Sequence, residues 1–82
     1  MGHQKLREPG ITIRIILATN VRDLRHEMGL SQEELAHISG LHRTYIGSVE
    51  RSERNVTLST LEALSEALNV TVPELLTPKR GK

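Results

Sequence analysis

The sequence has no cysteine, tryptophan or phenylalanine, one tyrosine, and only three prolines in 82 residues. Without cysteine there can be no disulfide scaffold, thiolate metal ligand or cysteine nucleophile, and the redox compartment is left open. One aromatic ring cannot build the stacking platform that holds single-stranded nucleic acids. No apolar run approaches the ~20 residues of a membrane span, and the N-terminus carries no signal-peptide pattern, so a soluble cytoplasmic protein without membrane contact is expected. Glycine-rich phosphate loops and nucleophile elbows are also absent. The carboxylates amount to the neighbours Glu33 and Glu34 plus scattered singles, so no enzyme, cofactor or small-molecule substrate is expected. His3, His26, His37 and His42 do not pair along one helix face, and no metal site is expected.

Net charge is also slight, at +1, but its distribution is uneven. Across residues 56–77 the only formal charges are Glu62, Glu66 and Glu74, whereas Arg43, Arg51 and Arg54 lie close together. One side is therefore acidic and another basic, and distribution says more about a polyanionic partner than the total does. A chain this short buries a modest core, and oligomerisation is one way to support it.

Residues 30–55 organise the rest. Ser31 followed by Glu34 is a capping box, and Leu30 before the cap with Leu35 after it forms a hydrophobic staple. Gly40 is the left-handed stop of that helix. Beyond it Ile46 and Val49, three apart, mark the inner face of a second helix, which puts the turn at residues 39–42. On the opposite face stand Thr44, Gly47, Ser48 and Arg51, bordered by Arg43. This small, polar, cationic face suits a groove better than a core. Gly47 costs ~1 kcal/mol of helix propensity relative to alanine, and is either a neutral weakness or a window for close approach.

The run SQEELA, then Gly40, then Ile46, Val49 and Glu50, followed by LEALSEALNV and PELL, resembles the phage-repressor (Xre) type of helix-turn-helix over residues 20–76. Within it, RTYI at 43–46, VER at 49–51 and RN at 54–55 look most like the controller proteins of restriction-modification systems, although Gly47 precedes Ser48 here where those controllers carry serine before glycine. The resemblance implies a lambda-repressor-like fold that binds double-stranded DNA. In such a fold the first residues of the second helix reach base edges in the major groove. Arg43 can bond two acceptors of a guanine, and Thr44 offers a hydroxyl together with a methyl suited to thymine. Gln32, at a helix N-terminus, is expected on a phosphate, which is its role in the family. His42 is expected as a weak cap and phosphate contact, and Ser48 and Arg51 as part of the same face. By resemblance to the controllers, Tyr45, Arg54 and Asn55 would contact backbone or a neighbouring base.

Elsewhere, Ile13, Leu17, Val21, Leu24 and Met28 recur at helical spacing before Gly29. Residues 11–16 are ambiguous, because Ile11, Ile13 and Ile15 also alternate as in a strand; if they are helical, Ile11 and Ile15 stay outside the core. Arg25 lies on this apolar stripe and Glu50 lies beside Ile46 and Val49. Buried charges are tolerated when paired, so the two are expected to meet, as the matching residues do in the resembled family. A fourth helix is expected to start near Ser59 or Thr60, with Glu62 in its first turn and Leu61, Leu64 and Leu68 inward. Asn69 ends it, and Pro73 opens a short fifth helix.

The expected fold is an all-α, compact five-helix bundle with helices near 12–28, 32–39, 43–51, 59–68 and 73–77. It divides into a disordered arm (1–10), a helix-turn-helix domain (11–77) and a basic tail (78–82), with no room for an effector domain. The expected function is sequence-specific duplex DNA binding as a transcription regulator, either activator or repressor, by a homodimer joined through Val70, Val72, Leu75 and Leu76. Antitoxin or phage repressor, and a protein-interaction module that retains the fold, are the alternatives.

Overall fold

The computed structural model describes residues 10–79. The expected arm up to residue 9 and the tail from residue 80 lie outside the described residues. Helix α1 (Ile11–Glu27) begins at once, so residues 11–16 are helical. A strand there would have had no partner, since no strand occurs among the described residues. The helical register turns Leu17 and Val21 into the core and leaves Ile15 about half exposed. Met28 departs from expectation. It lies past the end of the helix and is 46% exposed, because Gly29 (φ +70°) turns the chain away there, with Leu30 N–H donating to Arg25 O.

Helix α2 (Gln32–Ser39) starts at the capping box: Ser31 Oγ accepts from Glu34 N–H at 3.0 Å, and Glu34 Oε1 accepts from Ser31 N–H at 2.8 Å. Gly40, at φ +75°, ends it, and both Gly40 N–H and Leu41 N–H donate to Ala36 O. Helix α3 (Arg43–Glu50) follows after Leu41 and the capping residue His42, whose Nδ1 accepts from Thr44 N–H. Helix α4 (Leu58–Leu68) is capped by Thr57, slightly earlier than expected. Glu62 therefore lies beyond the first turn and gains nothing from the helix dipole. Helix α5 (Val72–Leu75) has its own capping box, Thr71 with Glu74, and Pro73 in its first turn.

Leu17, Val21, Leu35, Ile46, Val49, Leu61, Leu64, Leu68 and Leu75 form one core to which every helix contributes. Leu75 is thereby removed from the expected dimer surface: it is fully buried, and Val70, Val72 and Leu76 pack against the same core. Asn20 ties the C-terminal end down. Its Nδ2 donates to Leu75 O at 2.8 Å and Thr77 O at 2.9 Å, so a buried amide on α1 satisfies carbonyls left open by α5. Lys79, from the basic tail, pairs with Asp23 and Glu27 of α1.

Candidate nucleic-acid interface

Helix α3 packs against α1 and α2, and this sandwich decides which of its side chains remain available. His42, Arg43, Thr44 and Arg51 are exposed, Tyr45 is half-buried, and all five residues from Ile46 to Glu50 are buried. The outer face is thus narrower than the helical wheel implies. Gly47 lies beneath the side chains of Gln32 and Arg51, which close over it: a Cβ there would sit 3.2 Å from Arg51 Nη1 and 3.6 Å from Gln32 Oε1. Ser48 is 6% exposed, and its hydroxyl is already used. It donates to Tyr45 O at 2.8 Å and accepts from Arg54 Nε at 2.9 Å. Ser48 is therefore a support for Arg54 and not an open contact.

The chain leaves α3 through Ser52, a left-handed residue at φ +64°, with Glu53 N–H on Ser48 O. That turn sends Arg54 back across the helix, where its guanidinium lies 4.9 Å above the Tyr45 ring. The cation–π contact and the Ser48 bond hold the guanidinium in place and use none of its terminal nitrogens. Next to it, exposed Asn55 accepts from Arg14 Nη1 through its Oδ1 at 3.3 Å, which leaves its NH₂ out of that bond. Arg51 pairs in the open with Glu53 at 3.2 Å, a contact that a phosphate can displace.

Arg25 and Glu50 lie under this surface. Arg25 Nε donates to Glu50 Oε2 at 2.7 Å and Nη2 to Oε1 at 3.0 Å, and Nη1 donates to Leu30 O at 2.8 Å. Gln32 Nε2 donates to Glu50 Oε1 at 3.0 Å. An ionised carboxylate only accepts, so it fixes which end of the Gln32 amide faces inward, and one N–H remains for a ligand. Burial alone would raise the Glu50 pKa, but the hydrogen bonds from Arg25 and Gln32 outweigh it and hold the carboxyl below its ordinary value. The bond to Glu50 in turn raises Arg25. Above the network, Arg25, Ser31, Gln32, Glu33 and Arg43 line one open depression at the N-terminus of α2, where backbone N–H groups and the two arginines favour an anion and the Glu33 carboxylate opposes one.

Sequence reasoning missed three things. It gave Asn20 and Arg14 no role, and it assigned Gln32 to a phosphate without its bond to Glu50. The signal for Asn20 was available: it stands three residues after Leu17 and four before Leu24, a polar residue on the same apolar stripe that drew attention to Arg25.

A capped helix, a glycine turn and a second helix whose exposed first turn carries Arg43 and Thr44, flanked by Arg51 and Arg54, define a helix-turn-helix DNA-binding domain. The comparisons with known proteins agree. The family profile "Helix-turn-helix" matches residues 21–75. The chain is 71% identical over 65 residues to "Control protein C.SmaI" of Serratia marcescens, covering 79% of this chain and 77% of that protein. Among solved structures, the hypothetical transcription factor NHTF from Neisseria superposes with a TM-score of 0.80 at 40% identity, covering 95% of this chain and 91% of that one. The restriction-modification controller protein C.AhdI from Aeromonas hydrophila does so with a TM-score of 0.73 at 45% identity, covering 76% and 94%. This chain belongs to the Xre-type helix-turn-helix family of DNA-binding transcription regulators.

Proposed function

We propose that this regulator is the controller of a restriction-modification system, working in the cytoplasm as a homodimer on a symmetric DNA operator. The observation that carries the reading is the exposure pattern of α3. Five consecutive residues are buried, while Arg43 and Thr44 project from the first turn, where a recognition helix meets base edges. Arg43 reads a guanine and Thr44 an adjacent base. Gln32, at the mouth of the α2 depression, together with His42, Arg51, Arg54 and Asn55, holds the sugar-phosphate backbone, and Tyr45 holds Arg54. The likeness to C.SmaI and C.AhdI, named as a control protein and a restriction-modification controller, supports the assignment of the system.

Selection of bound sequences from a random duplex pool tests both halves. The expected outcome is a two-fold symmetric site that recurs upstream of the chain's own gene, with a restriction endonuclease reading frame beside it. A bound pool with no sequence enrichment overturns DNA reading, and an enriched site with a different neighbour overturns the controller role alone.

A further inference from the structure

Two arginines on α1 are set up alike, and only one is satisfied. Arg25 uses its whole guanidinium: Nε and Nη2 hold the two oxygens of Glu50, and Nη1 donates to Leu30 O. Arg14 likewise donates from Nη1 to a carbonyl oxygen, Asn55 Oδ1 at 3.3 Å. Its Nε, however, is buried without a hydrogen-bond partner, and Nη2 has no acceptor either among the described residues. The edge formed by Nε and Nη2 is the one that takes a carboxylate two oxygens at a time, as Arg25 takes Glu50. A buried N–H left without an acceptor is costly, so a group that supplies one is bound with gain.

Arg14 lines a half-open cavity of about 140 Å³ whose walls are otherwise mostly apolar, with Ile13 and Leu17 from α1, Leu61 from α4, and Val56 and Leu76. Arg54 lines it as well, and no aspartate or glutamate does, so two cations meet at an apolar hollow that holds no anion of its own. A dry cavity of ~150 Å³ accommodates a benzene ring, which sets the size of what this one can enclose. We propose that the cavity binds a small monocarboxylate with a compact apolar body, its carboxylate on Arg14 Nε and Nη2 and its body among Ile13, Val56, Leu61 and Leu76. Charge complementarity selects this occupant over a neutral molecule, and the apolar walls select it over a bare anion. Arg14 also holds Asn55, which lines the same cavity with Arg54. A carboxylate that fixes the Arg14 guanidinium therefore fixes Asn55 with it, and tightens the grip of that loop on DNA; by linkage, DNA tightens the grip on the carboxylate. This effector role rests on the DNA contacts proposed above, whereas carboxylate binding stands without them.

Benzoate, benzamide and acetate, titrated into the full chain and followed by calorimetry and by backbone amide NMR shifts, test the site. Benzoate should bind saturably and shift the amides of Arg14, Val56 and Leu61. It should bind at least ~10-fold more tightly than benzamide, which has the ring without the charge, and than acetate, which has the charge without the ring. Arg14→Gln, checked for wild-type melting, should lose at least ~10-fold in benzoate affinity. Saturating benzoate should raise the operator affinity of the wild type by ~5-fold or more and leave that of Arg14→Gln unchanged. Absence of benzoate binding overturns the site, and so does benzamide binding as well as benzoate, a comparison that needs no variant. Benzoate shifts confined to Arg43 and Arg51 overturn it too, since they would mark an adventitious anion on the DNA face. Saturable binding at the cavity with operator affinity unchanged overturns the effector role alone, and a wild type that selects no DNA sequence overturns the DNA reading while leaving benzoate binding intact.

Discussion

Arg25 and Glu50 meet side by side, two guanidinium nitrogens on two carboxylate oxygens at 2.7 and 3.0 Å, both residues under 10% exposed. The pair joins α1 to the C-terminal end of α3, and Gln32 attaches α2 to the same carboxylate. A single buried anion therefore sets the angle at which the recognition helix is held between its two neighbours.

Removing one partner strands the other charge in a buried place. Arg25→Met should destabilise the fold by ~3–5 kcal/mol, while the double variant with Glu50→Leu should recover most of that loss. Thermal or urea unfolding of the two single variants and the double variant measures the difference. Single and double variants melting like the wild type would show that the pair contributes nothing.

The same carboxylate makes stability depend on pH. Glu50 is held below its ordinary value in the folded protein, so as acid is added the unfolded chain takes up its proton first. Its contribution is fully present above the unfolded glutamate value of ~4.3 and is lost as pH falls through the lower folded value. Unfolding free energies between about pH 6 and pH 2 should decline more steeply in the wild type than in the Arg25→Met/Glu50→Leu protein. Parallel curves would remove Glu50 from the acid response.

Reading and holding should separate by mutation. Arg43→Ala is expected to cost ~1–3 kcal/mol on the operator and to flatten preference at one base pair of each half-site. Arg51→Ala should weaken all duplexes alike and make the dependence of log K on log salt shallower by about one unit per half-site. Competition binding at three salt concentrations, with operators varied one base pair at a time, provides both quantities. If Arg43→Ala lowers affinity equally for every sequence, Arg43 belongs to the backbone contacts.

Gly47 had two readings from sequence, and its surroundings permit a sharper expectation. An added methyl meets only the far ends of Arg51 and Gln32, and the Arg51 side chain is 60% exposed and free to shift. Gly47→Ala should thus raise stability by up to ~1 kcal/mol through helix propensity. It should also weaken DNA binding modestly by displacing Arg51. A lowered melting temperature would show that the space above Gly47 is more tightly filled than these contacts indicate.

The α2–turn–α3 unit was legible because its signals are local. A serine with a glutamate three residues on, a glycine that accepts φ +75° and two apolar residues three apart act within a few residues of themselves, wherever the rest of the chain goes. Arg25 and Glu50 were legible for a related reason: a charge on an apolar stripe must find a partner, and one of each sign was available. Local periodicity could not decide how much of α3 stays uncovered. The wheel put Gly47 and Ser48 on the outer face with Thr44 and Arg51, but Gln32 reaches across from α2 and Arg54 folds back from the following loop, covering both. The same limit explains Leu75, which ends a four-residue helix and looked like surface until α4 and α1 closed around it, with Asn20 bonding its carbonyl from 55 positions away in the chain. An angle on a wheel follows from a residue's own position, whereas burial follows from what arrives opposite, and only the packing of distant segments decides that.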